Sequence, residues 1–247
     1  IGTALFRAAV IVGVSYVILQ PVLTMVSQAF MAPRDLYDTT VIWIPKNFTV
    51  RNFIPVLEVM NYLTTFSRSM ILSLVTAVLQ VVSCTMIGYG FARFKFPGRN
   101  VLFGLVVLTL VIPPQTVMIP LFLHFRFFDI LGLSELFTGR TVNLLDSYWP
   151  FFLQAITGNG IKNGLYILIF RQFFMGMSKE IEEAAYVDGA GTFRTFFQMM
   201  VPNATPAIVT VFLFSFVWQW NDEFYASLFV QSRALLPQAL QTMASNI

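Results

Sequence analysis

Charge is scarce in this sequence: Asp, Glu, Lys and Arg together make up 11% of its 247 residues, where a soluble domain carries about 25%. Cysteine and histidine are scarcer still. A lone cysteine, Cys84, excludes an intrachain disulfide and leaves the redox compartment unreadable. A lone histidine, His124, excludes most nucleophile–histidine triads, and it reads as a surface or capping group before it reads as a metal ligand. No G-x-x-x-x-G-K-[ST], H-E-x-x-H or G-x-S-x-G occurs, so the chain carries no phosphate cradle, zincin helix or nucleophile elbow. A net charge of +3 without a basic run of five or more gives no argument for nucleic acid, and no nucleic-acid partner is expected. There is no low-complexity tract and no internal repeat. The missing repeat weighs against a self-contained secondary transporter or channel, the rival reading, which is usually built from repeated halves.

What is abundant is apolar. Hydrophobic residues reach 57%, Phe alone contributes 27 positions, and mean hydropathy is +0.73. The composition belongs to a membrane. A span needs about 20 mostly apolar residues, and five segments qualify. The first is 8–29, too long for a signal-peptide core of roughly 7–15 residues, with Arg7 free to snorkel and Pro21 as a kink. The second is 69–91 and the third 101–123, the latter interrupted near its middle and outer end by Pro113, Pro114 and Pro120, which read as a packing kink before a path-lining one. The fourth is interrupted by Gly158-Asn159-Gly160 and Lys162; its inner part is 165–177, reached through 148–161. The fifth is 204–229. An amphipathic piece is expected at 131–137, and Asn47-Phe48-Thr49 fits a glycosylation acceptor pattern.

Orientation follows from the short loop holding Arg93, Lys95 and Arg99, because short Lys/Arg-rich loops stay in the cytoplasm. Parity then puts residues 178–202 on the same side. This stretch holds the densest acidic cluster in the chain. Ser178 is placed to N-cap a helix with Glu180, Glu182 and Glu183 in its first turns, where the helix dipole favours acids. Ile181, Ala184 and Ala185 follow with i, i+3, i+4 spacing. Asp188-Gly189-Ala190-Gly191 ends that helix, and Thr192 caps a second with Phe193, Phe196, Phe197 and Met200 on one face, stopped ahead of Pro202. Lying on the membrane surface is the plainer role for such a pair, but its acidic first turns suit an anionic leaflet poorly. Docking into a protein groove suits it better.

Glu183-Ala184-Ala185, three residues, Gly189, nine residues, then Met199-Met200-Val201-Pro202 resembles the EAA loop of the membrane subunits of ABC importers, E-A-A…G…I-x-L-P. Met199 and Val201 stand where Ile and Leu are usual. The Asp188-Gly189-Ala190 version is similar to the sugar-importing, maltose-permease type, and the Ile42-to-Phe53 stretch resembles the extracytoplasmic loop after the first span of such permeases. The resemblance implies an all-α polytopic bundle of the type I importer class, a single permease domain over 1–247 with its coupling loop at 178–202. It implies a sixth span beyond the five, and hence a natural chain longer at its C-terminus and a little longer at its N-terminus. It also implies partners: a second permease, two ATPase subunits holding ATP and Mg²⁺, an extracytoplasmic solute-binding protein and the lipid of a bacterial or archaeal cytoplasmic membrane. Coupling to the ATPase would fall to Glu183, Ala184, Ala185, Asp188, Gly189, Ala190 and Pro202. The chain itself would be neither enzyme nor cofactor binder, and no metal site is expected.

Two polar stripes are candidates for a substrate path. In the second span Ser69, Ser73, Thr76, Gln80 and Ser83 share a face, and Ser/Thr dominance favours interhelical hydrogen bonding over solute contact. In the fifth, Ser215, Gln219, Asp222 and Ala226 share one, flanked by Trp218, Trp220, Asn221 and Glu223. Both should face the bundle interior, since polar groups are costly in hydrocarbon. The Trp220-Asn221-Asp222-Glu223 run resembles the tryptophan–asparagine segment of the family. Ring and carboxylate together suit a carbohydrate, while an aromatic belt residue beside headgroup-level acids is the equal alternative. Glycerol phosphate esters or polyols fit the same features.

Overall fold

A computed structural model describes residues 2–129 and 140–245, so the amphipathic piece expected at 131–137 lies outside the described residues. These residues form helices with only two isolated β-bridges. They divide into two compact units, one up to Leu63 and the other from Thr64 to Ser245.

The first unit opens with α1 (Gly2–Ala29), which runs on through Pro21 and has none of its described residues buried. Its apolar flank is thus left for lipid or a partner. Beyond it, residues 30–53 form a small tied knot. The Asp35 carboxylate, almost wholly covered, accepts hydrogen bonds from the Asn47 backbone N–H at 2.7 Å and the Asn47 amide at 2.8 Å. The Asn52 amide donates to Ala29 O and Met31 O, and Phe30 stacks on Phe48 at 5.1 Å. Asn47, the glycosylation candidate, therefore has its amide engaged. Its donors hold the Asp35 carboxyl below the usual carboxylate range, and Lys46 and Thr40 do the same for Asp38.

The second unit is built on α2 (Tyr62–Arg93), its first two residues belonging to the preceding unit. By length and composition α1 and α2 are long and apolar enough to cross a membrane alone, and a bent pair raises that to three. The other expected spans are broken helices. The third is split into α3 (Arg99–Leu108) and α4 (Pro114–Arg126), because Pro113 adopts an extended conformation (ψ 136°) and donates no N–H, so the expected kink is a break. The fourth consists of α5 (Trp149–Ile156) and α6 (Asn163–Gly176), with Gly158 (φ 77°) and Lys162 (φ 60°) in the left-handed region between them. The fifth consists of α8 (Thr205–Trp220) and α9 (Phe224–Phe229), following α7 (Glu180–Val187) in the coupling stretch. A last helix, α10 (Leu236–Ser245), is tied to α2 by the Leu236 N–H donating to Ser69 Oγ at 2.8 Å.

Two apolar clusters hold this unit. One joins Cys84 and Tyr89 of α2 to Tyr166, Ile167, Phe170 and Phe174 of α6 and continues into Phe196, Met200 and Val211. The other gathers Leu72, Phe125, Phe151, Phe229 and Leu235. Gly88 makes the first possible: a methyl group there would lie 2.5 Å from Phe170 Cβ and 3.0 Å from the Arg171 nitrogen. Asp146 ties the other end. Its carboxylate accepts from the N–H groups of Gln231 and Ser232 and from the Ser232 hydroxyl, which hold its pKa down.

Candidate functional site

The coupling stretch takes its shape from local chemistry. Ser178 Oγ accepts from the Glu180 N–H at 3.2 Å, but the helix starts one residue later than expected, with Lys179 and not Ser178 at the cap position. At the other end the Ala190 N–H reaches Ala185 O at 2.9 Å and the Gly189 N–H reaches Tyr186 O at 3.0 Å. This is a Schellman turn, and it needs the left-handed φ of 78° that Gly189 supplies. A side chain at Gly189 would meet open space, so conformation alone selects glycine here.

Three further details depart from expectation. The second helix starts from Gly191 rather than from a Thr192 cap, covers Thr192–Thr195 and widens into a π-helical turn at Phe196–Met200. That widening changes which side chains face inward: Phe196 and Met200 are buried, while Phe193 (76% exposed) and Phe197 (56% exposed) point away. Pro202 lies within a further turn, Val201–Asn203, and the chain bends by 75° around Ala204, beyond the expected stop. In α7 the inward face is Glu182 and Ala185, with Ile181 half-buried and Ala184 exposed.

Glu182 is the residue that sequence reasoning passed over. Only 7% exposed, it accepts from Tyr89 Oη at 2.7 Å and lies 3.2 Å from Arg93 Nε. Arg93 also donates to Met177 O at 2.9 Å, where α6 ends. The Tyr89 ring packs edge-on against Phe174 at 5.4 Å and tilted by 46° against Phe196 at 4.8 Å. One cluster thus joins the end of α2, the end of α6, helix α7 and the π-helical turn. The available signal was Tyr89 and Arg93 at i, i+4 on the end of a span, a ready receptor for an acid. Around it the motif residues divide: Ala185 is buried, Ala190 half-buried, and Glu183, Ala184, Asp188, Gly189 and Pro202 are exposed.

The interior candidates also divide. Both polar stripes face inward, with Ser69, Ser73, Thr76, Gln80, Ser83, Ser215 and Gln219 all buried. Gln80 is a cross-brace: its amide donates to Ile161 O at 3.0 Å and its carbonyl accepts from Ser215 Oγ. Ser83 donates to Ala155 O at 2.6 Å. Among the described residues, Ser73 Oγ, Thr76 Oγ1 and Gln219 Nε2 are buried without a hydrogen-bond partner. Asp222 is a helix cap, its carboxylate accepting from the N–H groups of Tyr225 at 3.2 Å and Ala226 at 3.1 Å. Asn221 is exposed and bonded to Val217 O, Glu223 is half-buried, and Trp220 packs between Phe66 and Phe216. Trp218 carries the Lys162 ammonium 4.8 Å from its ring centre. The structure therefore brings Gln80 and Gln219 into the interior and gives Asp222 a structural duty.

An all-helical chain of broken apolar helices, with a helix–turn–helix hung from the end of its longest buried one, has the architecture of a transporter's membrane subunit. The fold is shared with a chain in the crystal structure of a bacterial ABC transporter involved in the import of the acidic polysaccharide alginate. The TM-score is 0.79 at 20% identity, over 98% of this chain and 79% of that one. Residues 84–247 match the family of the binding-protein-dependent transport system inner membrane component, and the chain belongs to that family. It is a multi-pass protein of the inner membrane.

Relatives include the osmoprotective compounds uptake permease protein GgtD of Synechocystis sp., 34% identical over 83% of this chain and 65% of that protein. The arabinooligosaccharides transport system permease protein AraQ of Halalkalibacterium halodurans is 28% identical over 93% and 77%. The alpha-glucoside transport system permease protein AglG of Rhizobium meliloti is 32% identical over 75% and 46%. The match thus spans 65% of the first of these proteins and under half of the last.

Proposed function

We propose that the chain is a permease subunit of an ATP-driven importer, forming half of the path for a carbohydrate, an oligosaccharide or a related solute. The relatives named for arabinooligosaccharide and alpha-glucoside transport support the solute class. In this reading 1–247 is one permease domain with five spans, of which the third to fifth are broken helices. An extracytoplasmic binding protein delivers the solute, a second permease completes the path, and two ATPase subunits bind ATP and Mg²⁺. This chain binds no cofactor and catalyses nothing. Glu183, Ala184, Asp188 and Gly189 meet the ATPase, Ala185, Ala190 and Pro202 shape the loop that presents them, and Gln80 and Gln219 border the path.

The observation that carries the reading is the Glu182–Tyr89–Arg93 cluster. A cytoplasmic helix pinned by a buried ion pair to the end of α2 and to α6 moves with the bundle rather than hanging loose. A force applied at the exposed face of α7 therefore reaches two spans at once. Cysteine placed at Ala184, which is exposed, should cross-link to an ATPase subunit. Gly189→Asp should abolish transport while the complex still assembles. Absence of any cross-link under every nucleotide condition, or transport without an ATPase partner, would sink the proposal.

A further inference from the structure

Beside α7 opens a cleft of about 430 Å³ whose charged lining is Arg93, Lys95, Arg99, Lys179, Glu182 and Glu183. A second cleft of about 350 Å³, on the turn into α3, shares Lys95 and Arg99. Arg93 is committed to Glu182. Among the described residues no ion pair engages Lys95, Arg99 or Lys179, and Arg99 donates only to the Phe94 carbonyl at 3.2 Å. With Glu183 the one remaining acid, the cleft keeps an excess of positive charge aimed at the space between the α2–α3 turn and α7.

What adjoins this charge is apolar. Directly after Arg99, helix α3 exposes Val101 (69%), Leu102 (48%), Leu105 (54%) and Leu108 (49%), and Phe96 and Met175 stand exposed at the cleft's edge. A soluble anion would satisfy the cations and leave that strip bare. A molecule with a phosphate at one end and hydrocarbon at the other matches both. We propose that this cleft binds the phosphodiester headgroup of an anionic phospholipid from the inner leaflet, with its acyl chains along α3. The proposal rests on the reading of this loop as cytoplasmic. Cations beside an anionic leaflet attract it at short range, and aliphatic stems reach along the apolar surface while their charged ends stay at the headgroups. Because Lys179 and Glu183 belong to the coupling stretch and Lys95 and Arg99 to the α2–α3 turn, a bound headgroup would brace the two against each other.

The test uses the full chain purified with its partner subunits, equilibrated with phosphatidylglycerol or phosphatidylcholine, with retained lipid counted by native mass spectrometry. Wild type should retain phosphatidylglycerol and not phosphatidylcholine. The triple variant Lys95→Gln, Arg99→Gln, Lys179→Gln should bind it more weakly by on the order of a hundredfold, about fivefold per cation. Arg194→Gln, an exposed cation of the adjoining helical turn, should bind as wild type. Arg93 is left intact because it pairs with Glu182. Should the triple variant fail to assemble, the single variants, each about fivefold weaker, decide the matter. Equal retention by the variants, or equal uptake of both lipids, overturns the proposal. So does displacement by inorganic phosphate at matching concentration, which would make this a free-anion site. Retention only after the ATPase subunits are stripped would make the cleft a protein-docking surface. The lipid count needs no transport, so failure of the importer reading would appear separately, as absence of ATP-driven uptake in wild type and variants alike.

Discussion

Glu182 differs from Glu183 beside it in one respect, the direction in which α7 turns its side chain. Glu182 faces Tyr89 and Arg93; Glu183 faces solvent. Removing one partner of a buried, hydrogen-bonded charge pair costs about 3–5 kcal/mol. Glu182→Ala should therefore loosen α7 from α2, lowering thermal stability and uncoupling transport from ATP hydrolysis. The exchange Glu182→Arg with Arg93→Glu should recover part of the loss, whereas Glu183→Ala should leave stability unchanged. A stability loss from Glu183→Ala as large as that from Glu182→Ala would contradict this assignment. At Gly189 the cost is conformational: a left-handed φ disfavours any Cβ by about 1 kcal/mol, and the surrounding space is open. Gly189→Ala should give a small destabilisation with coupling retained, and Gly189→Asn a smaller one. If Gly189→Ala matched Gly189→Asp in transport, chain geometry rather than the new charge would be the cause. Gly189 and its turn were readable because both follow from backbone preference within a few residues. Glu182 was not, because its burial depends on a helix that lies far away in sequence.

Elements show the same division. The fourth span was legible as an interrupted one because Gly158, Asn159 and Gly160 announce a break locally. The exposure of Phe197 was hidden, since a π-helical turn keeps the residue pattern of an α-helix while changing the angle between successive side chains. The knot at 30–53 offers a prediction at this scale. Asp35 and Asp38 are held low by Asn47, Lys46 and Thr40. A carboxylate with a lowered folded pKa contributes stability that is complete above its unfolded value, near about 3.9, and is lost as pH falls through the folded value. The knot should accordingly be unchanged from neutral pH down to about 5 and loosen only below about 4. Nuclear magnetic resonance signals of Asn47 and Thr40 would report this. Loosening already between about pH 7 and 5, where aspartate titrates only if raised, would disprove the assignment.

For the whole molecule, composition announced the membrane, the spaced motif announced the transport family and Pro113, Pro114 and Pro120 announced the interruption of the expected third span, while the break in the expected fifth had to be seen. Proline and glycine mark where a helix is weak; whether it bends or stops depends on what surrounds it. Breaks at Pro113, near Lys162 and at Asp222 leave short helices, with α2 as the continuous post among them. Cys84 sits on that post, fully covered, its sulfur 3.9 Å from the Asn163 carbonyl at the head of α6. Being the single thiol, it is a built-in shutter sensor. At rest a membrane-permeant maleimide should leave it untouched. During turnover, any separation of α2 from α6 would admit the reagent, so labelling should rise with ATP and solute together and stop when the ATPase is arrested. A labelling rate indifferent to turnover would mean that α2 and α6 travel as one rigid body, and that the moving seam lies elsewhere in the bundle.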